Sequence, residues 1–95
     1  MDRITNTQLN AIVDRINRAT NSPMTPYTKN ADGKHTANIG NYHLDWAYGG
    51  VCLQRMDNDA GGVNTPLGIG HVTKRALRDA MYAYIAGIND AKMAA

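Results

Sequence analysis

Residues 40–56 read GNYHLDWAYGGVCLQRM, and how this stretch turns back on itself decides the fold. Apolar and polar residues alternate on both sides of Gly49-Gly50, the signature of two half-buried strands. A Gly-Gly pair suits a primed two-residue hairpin turn. That turn sets Tyr48 opposite Val51, Trp46 opposite Leu53 and Leu44 opposite Arg55. Tyr42, Leu44, Trp46, Tyr48, Val51 and Leu53 then share one apolar face. The other face carries His43, Asp45, Ala47, Cys52, Gln54 and Met56. A three-residue turn would pair Trp46 with Cys52 and scatter the apolar set, and a slip of one residue flips a whole strand. The expectation is a hairpin whose Trp46 and Leu44 close a core. Tyr42 and Tyr48 are expected nearer water, because their hydroxyls need a partner.

Upstream, Ala37 and Ile39 have the opposite parity to Tyr42, Leu44 and Trp46, and Gly40-Asn41 lies between the two sets. Either a glycine bulge there brings both sets to one face, or the chain breaks into two separate strands. Asn30-Ala31-Asp32-Gly33 is turn chemistry between two short strands. Before it, Leu9, Ile12, Val13, Ile16 and Ala19 recur at helical spacing. Thr5 and Gln8 form a capping box, Ile4 and Leu9 take the staple positions, and Asn21-Ser22-Pro23 ends the helix. Residues 57–70 read as a long loop. Thr73 is the N-cap of a last helix whose stripe is Ala76, Leu77, Ala80, Met81, Tyr84, Ile85 and Ile88. Gly87 weakens that helix, and the tail after Asp90 is expected to fray. The predicted fold is α+β: one domain over 1–95, ordered over about 4–89. A helix, a three-stranded antiparallel sheet and a helix follow in order, with both helices on one sheet face.

A chain of 95 residues is one small domain with a modest core. The net charge of +2 is too small to imply a nucleic-acid partner and too small to oppose self-association. One cysteine excludes an internal disulfide and a cysteine-only zinc site. No apolar run has transmembrane length, and the first residues lack the pattern of a signal peptide. A cytoplasmic protein with no membrane partner is expected.

His43 and Asp45 stand two apart on a strand, roughly 7 Å from each other on one face. They make either an acid–base pair, or part of a metal site to which His35, His71 and Cys52 add ligands, or simply a polar outer face. The polar face is favoured, because no HExxH, CxxC or activated-nucleophile pattern accompanies the pair. No catalytic residue, metal or cofactor is therefore expected. The start of the last helix is more informative. Lys74, Arg75 and Arg78 sit at the end of a helix that disfavours cations. With free amides there and Gly68 and Gly70 beside it, the segment suits an anion such as phosphate. The expected ligand set is Lys74, Arg75, Arg78, Thr73, His71, Tyr48, Tyr42, His43 and Arg55.

The order helix, three strands, helix, with DGKH in the first hairpin and GIGHVTKRALRDAM opening the last helix, resembles a double-stranded-RNA-binding domain. That resemblance implies Lys34 and His35 in a minor groove and Lys74, Arg75 and Arg78 on phosphates. The first loop lacks the family's proline before its histidine, and the 57–70 loop is longer than the family's. Over nearly its whole length the chain is also similar to small uncharacterised accessory proteins of tailed bacteriophages. The shared segments are the ITNTQLNAIVDRINRATNSPMTPYT helix, the GNYHLDWAYGGVCLQRM block, the GG loop and the closing GHVTKRALRDAMYAYIAG helix. This second resemblance implies a non-catalytic, oligomeric counter-defence protein in the cytoplasm of the infected host. It would sequester a phosphate-bearing nucleotide signal or, alternatively, bind duplex nucleic acid or inhibit a host defence nuclease.

Overall fold

The computed structural model describes residues 3–94; positions 1, 2 and 95 of the expected domain lie outside the described residues. The first helix, α1 (Asn6–Ala19), starts as its sequence dictates. Gln8 donates its backbone N–H to Thr5 Oγ1 at 3.1 Å, and Thr5 returns its N–H to Gln8 Oε1 at 2.7 Å. The helix ends in a Schellman motif with Asn21 in the left-handed region (φ 59°). Ser22 N–H reaches Asn17 O and Asn21 N–H reaches Arg18 O, which satisfies carbonyls the last turn leaves free.

Five strands follow rather than three, and they divide into two antiparallel sheets. β1 (Tyr27–Lys29) and β2 (His35–Ala37) form an exposed hairpin around Asn30–Lys34. β3 (Tyr42–Ala47), β4 (Gly50–Met56) and β5 (Val63–Asn64) form the second sheet in that order. The junction at Gly40-Asn41 combines both expectations. Gly40 (φ 92°) and Asn41 together face Met56, with Gly40 N–H to Met56 O and Met56 N–H to Asn41 O, each 2.9 Å. This is a glycine bulge. Asn41 N–H also closes a turn onto Asn38 O, and the chain bends there instead of continuing. Ala37 is buried and Ile39 exposed, so the two sets do not share a face.

The β3–β4 register differs from expectation by two residues. Ala47 faces Gly50, Trp46 faces Val51, Leu44 faces Leu53 and Tyr42 faces Arg55. The turn residues are Tyr48 (φ 55°) and Gly49 (φ 71°), both positive as a type I′ turn requires. The two glycines thus have separate tasks. Gly49 turns the chain, while Gly50 stands where a Cβ would lie 2.9 Å from the Val72 carbonyl. Only a residue without a side chain lets segment 71–72 pair there, with Val51 and Val72 exchanging both backbone hydrogen bonds. A two-residue shift preserves parity, so the predicted faces survive the wrong turn.

The second helix, α2 (Lys74–Ala94), continues past the predicted end near Asp90. Ala91, Lys92 and Met93 are good helix formers, and Lys92 Nζ bonds the Ala19 carbonyl at the end of α1. Both helices lie on one face of the β3–β4 sheet. Ile4, Leu9, Ile12, Val13 and Ile16 meet Tyr42, Val51, Leu53, Leu77, Met81 and Ile85 in one core. Fully burying a side chain such as Leu53 stabilises the fold by about 1.5–3 kcal/mol. Trp46 is not in this core: it is 47% exposed. It lies near the hairpin tip, opposite the buried Val51 but only half covered itself.

Candidate anion-binding groove

The hairpin tip, the bridge at Val72 and the start of α2 come together at one end of the molecule. Thr73 caps α2, its Oγ1 accepting the Ala76 N–H at 3.2 Å. Lys74 folds back so that its Nζ stands 5.7 Å from the centre of the Trp46 ring, a cation–π contact. Tyr48 at the turn is 94% exposed. Its ring meets His71 edge-on at 5.3 Å. Val72 pairs with the core-facing Val51, so the adjacent His71 falls on the opposite sheet face. There His71 Nε2 bonds Asp45 Oδ2 at 2.7 Å.

Two surface depressions adjoin at this end. The larger, about 600 Å³, is lined by Arg3, Ile4, Gly49, Thr73, Lys74 and Arg75. The smaller, about 300 Å³, lies between α1 and α2 and is lined by Arg3, Ile4, Gln8, Ile12, Arg78, Asp79 and Tyr82. Arg3 and Ile4 line both, so the two depressions are neighbours on one groove-like surface, and Arg3, Lys74, Arg75 and Arg78 are the cationic side chains along it. Arg78 is engaged by its neighbour, Asp79 Oδ1 accepting from Nε at 3.0 Å and Nη2 at 2.9 Å. Among the described residues Asp79 is paired with Arg78 and Asp45 is hydrogen-bonded to His71, so neither carboxylate offsets Arg3, Lys74 or Arg75.

Of the expected ligand set, the structure gathers Lys74, Arg75, Thr73, His71 and Tyr48 around this end, with Arg78 in the adjoining depression. Tyr42, His43 and Arg55 belong elsewhere. Tyr42 is buried at the far end of β3, its hydroxyl 2.7 Å from that of Tyr84. Burial first, then the Tyr84 hydrogen bond, pushes its pKa up to about 12. Arg55 lies 5.9 Å over the Tyr42 ring. His43 is half-buried on the outer face between Asn41 Oδ1 and Gln54 Oε1, each 3.3 Å away. The His43–Asp45 pair is therefore not formed, because Asp45 takes His71 instead. Cys52 faces Asp45 across the strands and is buried. Burial and then the Asp45 charge raise its pKa, the opposite of the thiolate stabilisation a nucleophile needs. No group of three or more metal-ligating side chains occurs among the described residues.

Sequence reasoning missed Arg3, Tyr82 and the surface position of Trp46. Tyr82 carried a readable signal. It lies off the Leu77–Met81–Ile85 stripe and four residues after Arg78, so a large aromatic ring occupies the cationic face of α2. Arg3 carried none, since its place depends on α1 docking beside α2. Set against protein-family models, curated proteins and solved structures, the chain matches none of them. No helix among the described residues is long and apolar enough to cross a membrane.

Proposed function

We propose that this is a non-catalytic binding protein that takes a phosphate-bearing nucleotide in the groove at the start of α2. The observation that carries the reading is the placing of Arg3, Lys74 and Arg75 together on the larger depression, with no ion-pair partner for them among the described residues. The first-turn amides of α2 and their dipole add to the attraction for an anion. Trp46 and Tyr48 supply aromatic surface beside the cations. The expected resemblance of residues 40–56 to phage accessory proteins motivates the rest of the proposal: a counter-defence role in which the ligand is sequestered rather than converted, in the cytoplasm of the infected host and as an oligomer.

The test is calorimetric titration of adenosine 5′-diphosphate into the folded protein and into Lys74→Glu/Arg75→Glu. Binding by the parent and its loss in a folded double variant supports the reading, whereas unchanged binding overturns it. Ligand recovered intact after heat release distinguishes sequestration from turnover. Duplex RNA that binds more tightly than the nucleotide, with a steep fall in affinity as salt rises, would point instead to counterion release from a nucleic-acid backbone.

A further inference from the structure

We infer that the groove is divided by chemistry, and that the smaller depression between α1 and α2 receives the nucleobase while the larger one receives the phosphates. This rests on the phosphate reading above and adds to it a recognition element for the base.

The two compartments share Arg3 and Ile4 and differ in the rest of their walls. The larger is walled by Lys74 and Arg75 and opens onto the first turn of α2. The smaller is floored by Ile4 and Ile12, both buried, and walled by the Tyr82 ring, which is 46% exposed. Among the described residues, its one charge without an ion-pair partner is Arg3, at the boundary between compartments. Arg78 is already compensated, and Asp79 repels a phosphate at that end. The aromatic wall of Tyr82 suits a flat, weakly polar ring, and base–aromatic stacking gives affinity without demanding a particular sequence. Its volume of about 300 Å³ falls at the lower end of small-molecule sites.

The rim also carries hydrogen-bonding groups of both kinds. Gln8 uses Oε1 to accept the Thr5 N–H, which leaves its amide NH₂ as a donor. Asp79 gives Oδ1 to Arg78, which leaves Oδ2 as an acceptor. A base edge presents both donors and acceptors, whereas inorganic phosphate presents acceptors almost alone. Arg78, Asp79 and Tyr82 share one helical face at spacings of three and four residues, so α2 holds the wall rigidly. Arg3, on the shared boundary, is placed to meet the phosphate nearest the sugar.

The experiment compares adenosine 5′-diphosphate with inorganic pyrophosphate, which matches its two phosphates but has no nucleoside. Both are titrated calorimetrically into the parent, Tyr82→Ala and Tyr82→Phe. Emission from Trp46, the only tryptophan, serves as an independent readout beside Lys74. In the parent the nucleotide is expected to bind at least tenfold more tightly than pyrophosphate. Tyr82→Ala is expected to remove that advantage and leave pyrophosphate binding unchanged, and Tyr82→Phe to retain it. Equal affinity for the two probes in the parent, or a nucleotide affinity untouched by Tyr82→Ala, overturns the base compartment while the phosphate reading stands. Failure of both probes to bind the folded parent overturns both. Circular dichroism shows whether each variant retains its helices.

Discussion

The two ends of β3 carry the same alternation on the same sheet face, yet one is core and the other is surface. Tyr42 is buried, bonded through its hydroxyl to Tyr84 and covered by Arg55. Trp46, four residues on, is half exposed under Lys74, and Tyr48 beyond it stands almost wholly in solvent. Parity selects the face of a sheet. Burial depends on where along the strand the helices lie, and α1 and α2 cover the Tyr42 and Leu44 end. The other end is left to aromatic rings and cations, and there the groove opens.

The largest way to break this contrast is to attack the covered end. Leu53→Ala, opposite Leu44 and at the centre of the core, is expected to cost about 2–5 kcal/mol in chemical denaturation. A loss below 1 kcal/mol would show that the helices do not close over this part of the sheet. Asn17→Ala should have an effect of similar size. The Asn17 amide donates to Tyr42 O at 3.0 Å and accepts Tyr42 N–H at 2.8 Å. Removing it leaves two buried backbone groups without partners, at about 1–3 kcal/mol each.

Tyr42 also predicts an alkaline response. Its folded pKa of about 12 lies above the unfolded value near 10. The unfolded chain therefore ionises first. This contribution to stability is complete below about pH 10 and fades as pH rises from there through about 12. Melting temperatures taken between pH 9 and about 12 should fall over that window, and less so in Tyr42→Phe; parallel curves for the two proteins would remove the burial argument.

At the open end the effects shrink. Trp46→Ala should cost about 1 kcal/mol, the scale of a cation–π contact with partial burial, rather than the 3–5 kcal/mol of a core aromatic. A loss at the core scale would return Trp46 to the interior. The smallest effect has the opposite sign. A tyrosine in the left-handed region costs roughly 1–2 kcal/mol, and asparagine tolerates that region better. Tyr48→Asn should therefore raise stability by up to about 1 kcal/mol in thermal melts. If it also weakens nucleotide binding, the strain at the tip serves the ligand.

Much of the fold can be read from local sequence, because caps and faces are set by neighbours. The Thr5–Gln8 box, the Ile4–Leu9 staple, the turn at Asn30–Gly33 and the stripe of α2 are all of this kind. Gly49-Gly50 misled for a physical reason. Two glycines attract a turn onto themselves, and nothing local reveals that Gly50 is needed for the approach of Val72, 22 positions later. β5 is two residues long and gives no periodicity to detect. The helix-start half of the site was legible in Thr73, Lys74 and Arg75, whose placement follows from the helix itself. Tyr42, His43 and Arg55 were drawn in by chemistry without position. Tyr82 was legible from its spacing to Arg78 on α2 but was passed over, and Arg3 enters only once the two helices lie side by side.

The Asn17–Tyr42 contact has a further consequence. β3 is the outer strand of its sheet, and an outer strand invites pairing with a strand from another molecule. At Tyr42 the asparagine amide makes the two hydrogen bonds that such a strand would make first. One end of the sheet is thereby closed to intermolecular extension by a side chain from the protein's own helix. Any association of copies through β3 must begin further along the strand, at the same end as the depressions proposed to take the ligand.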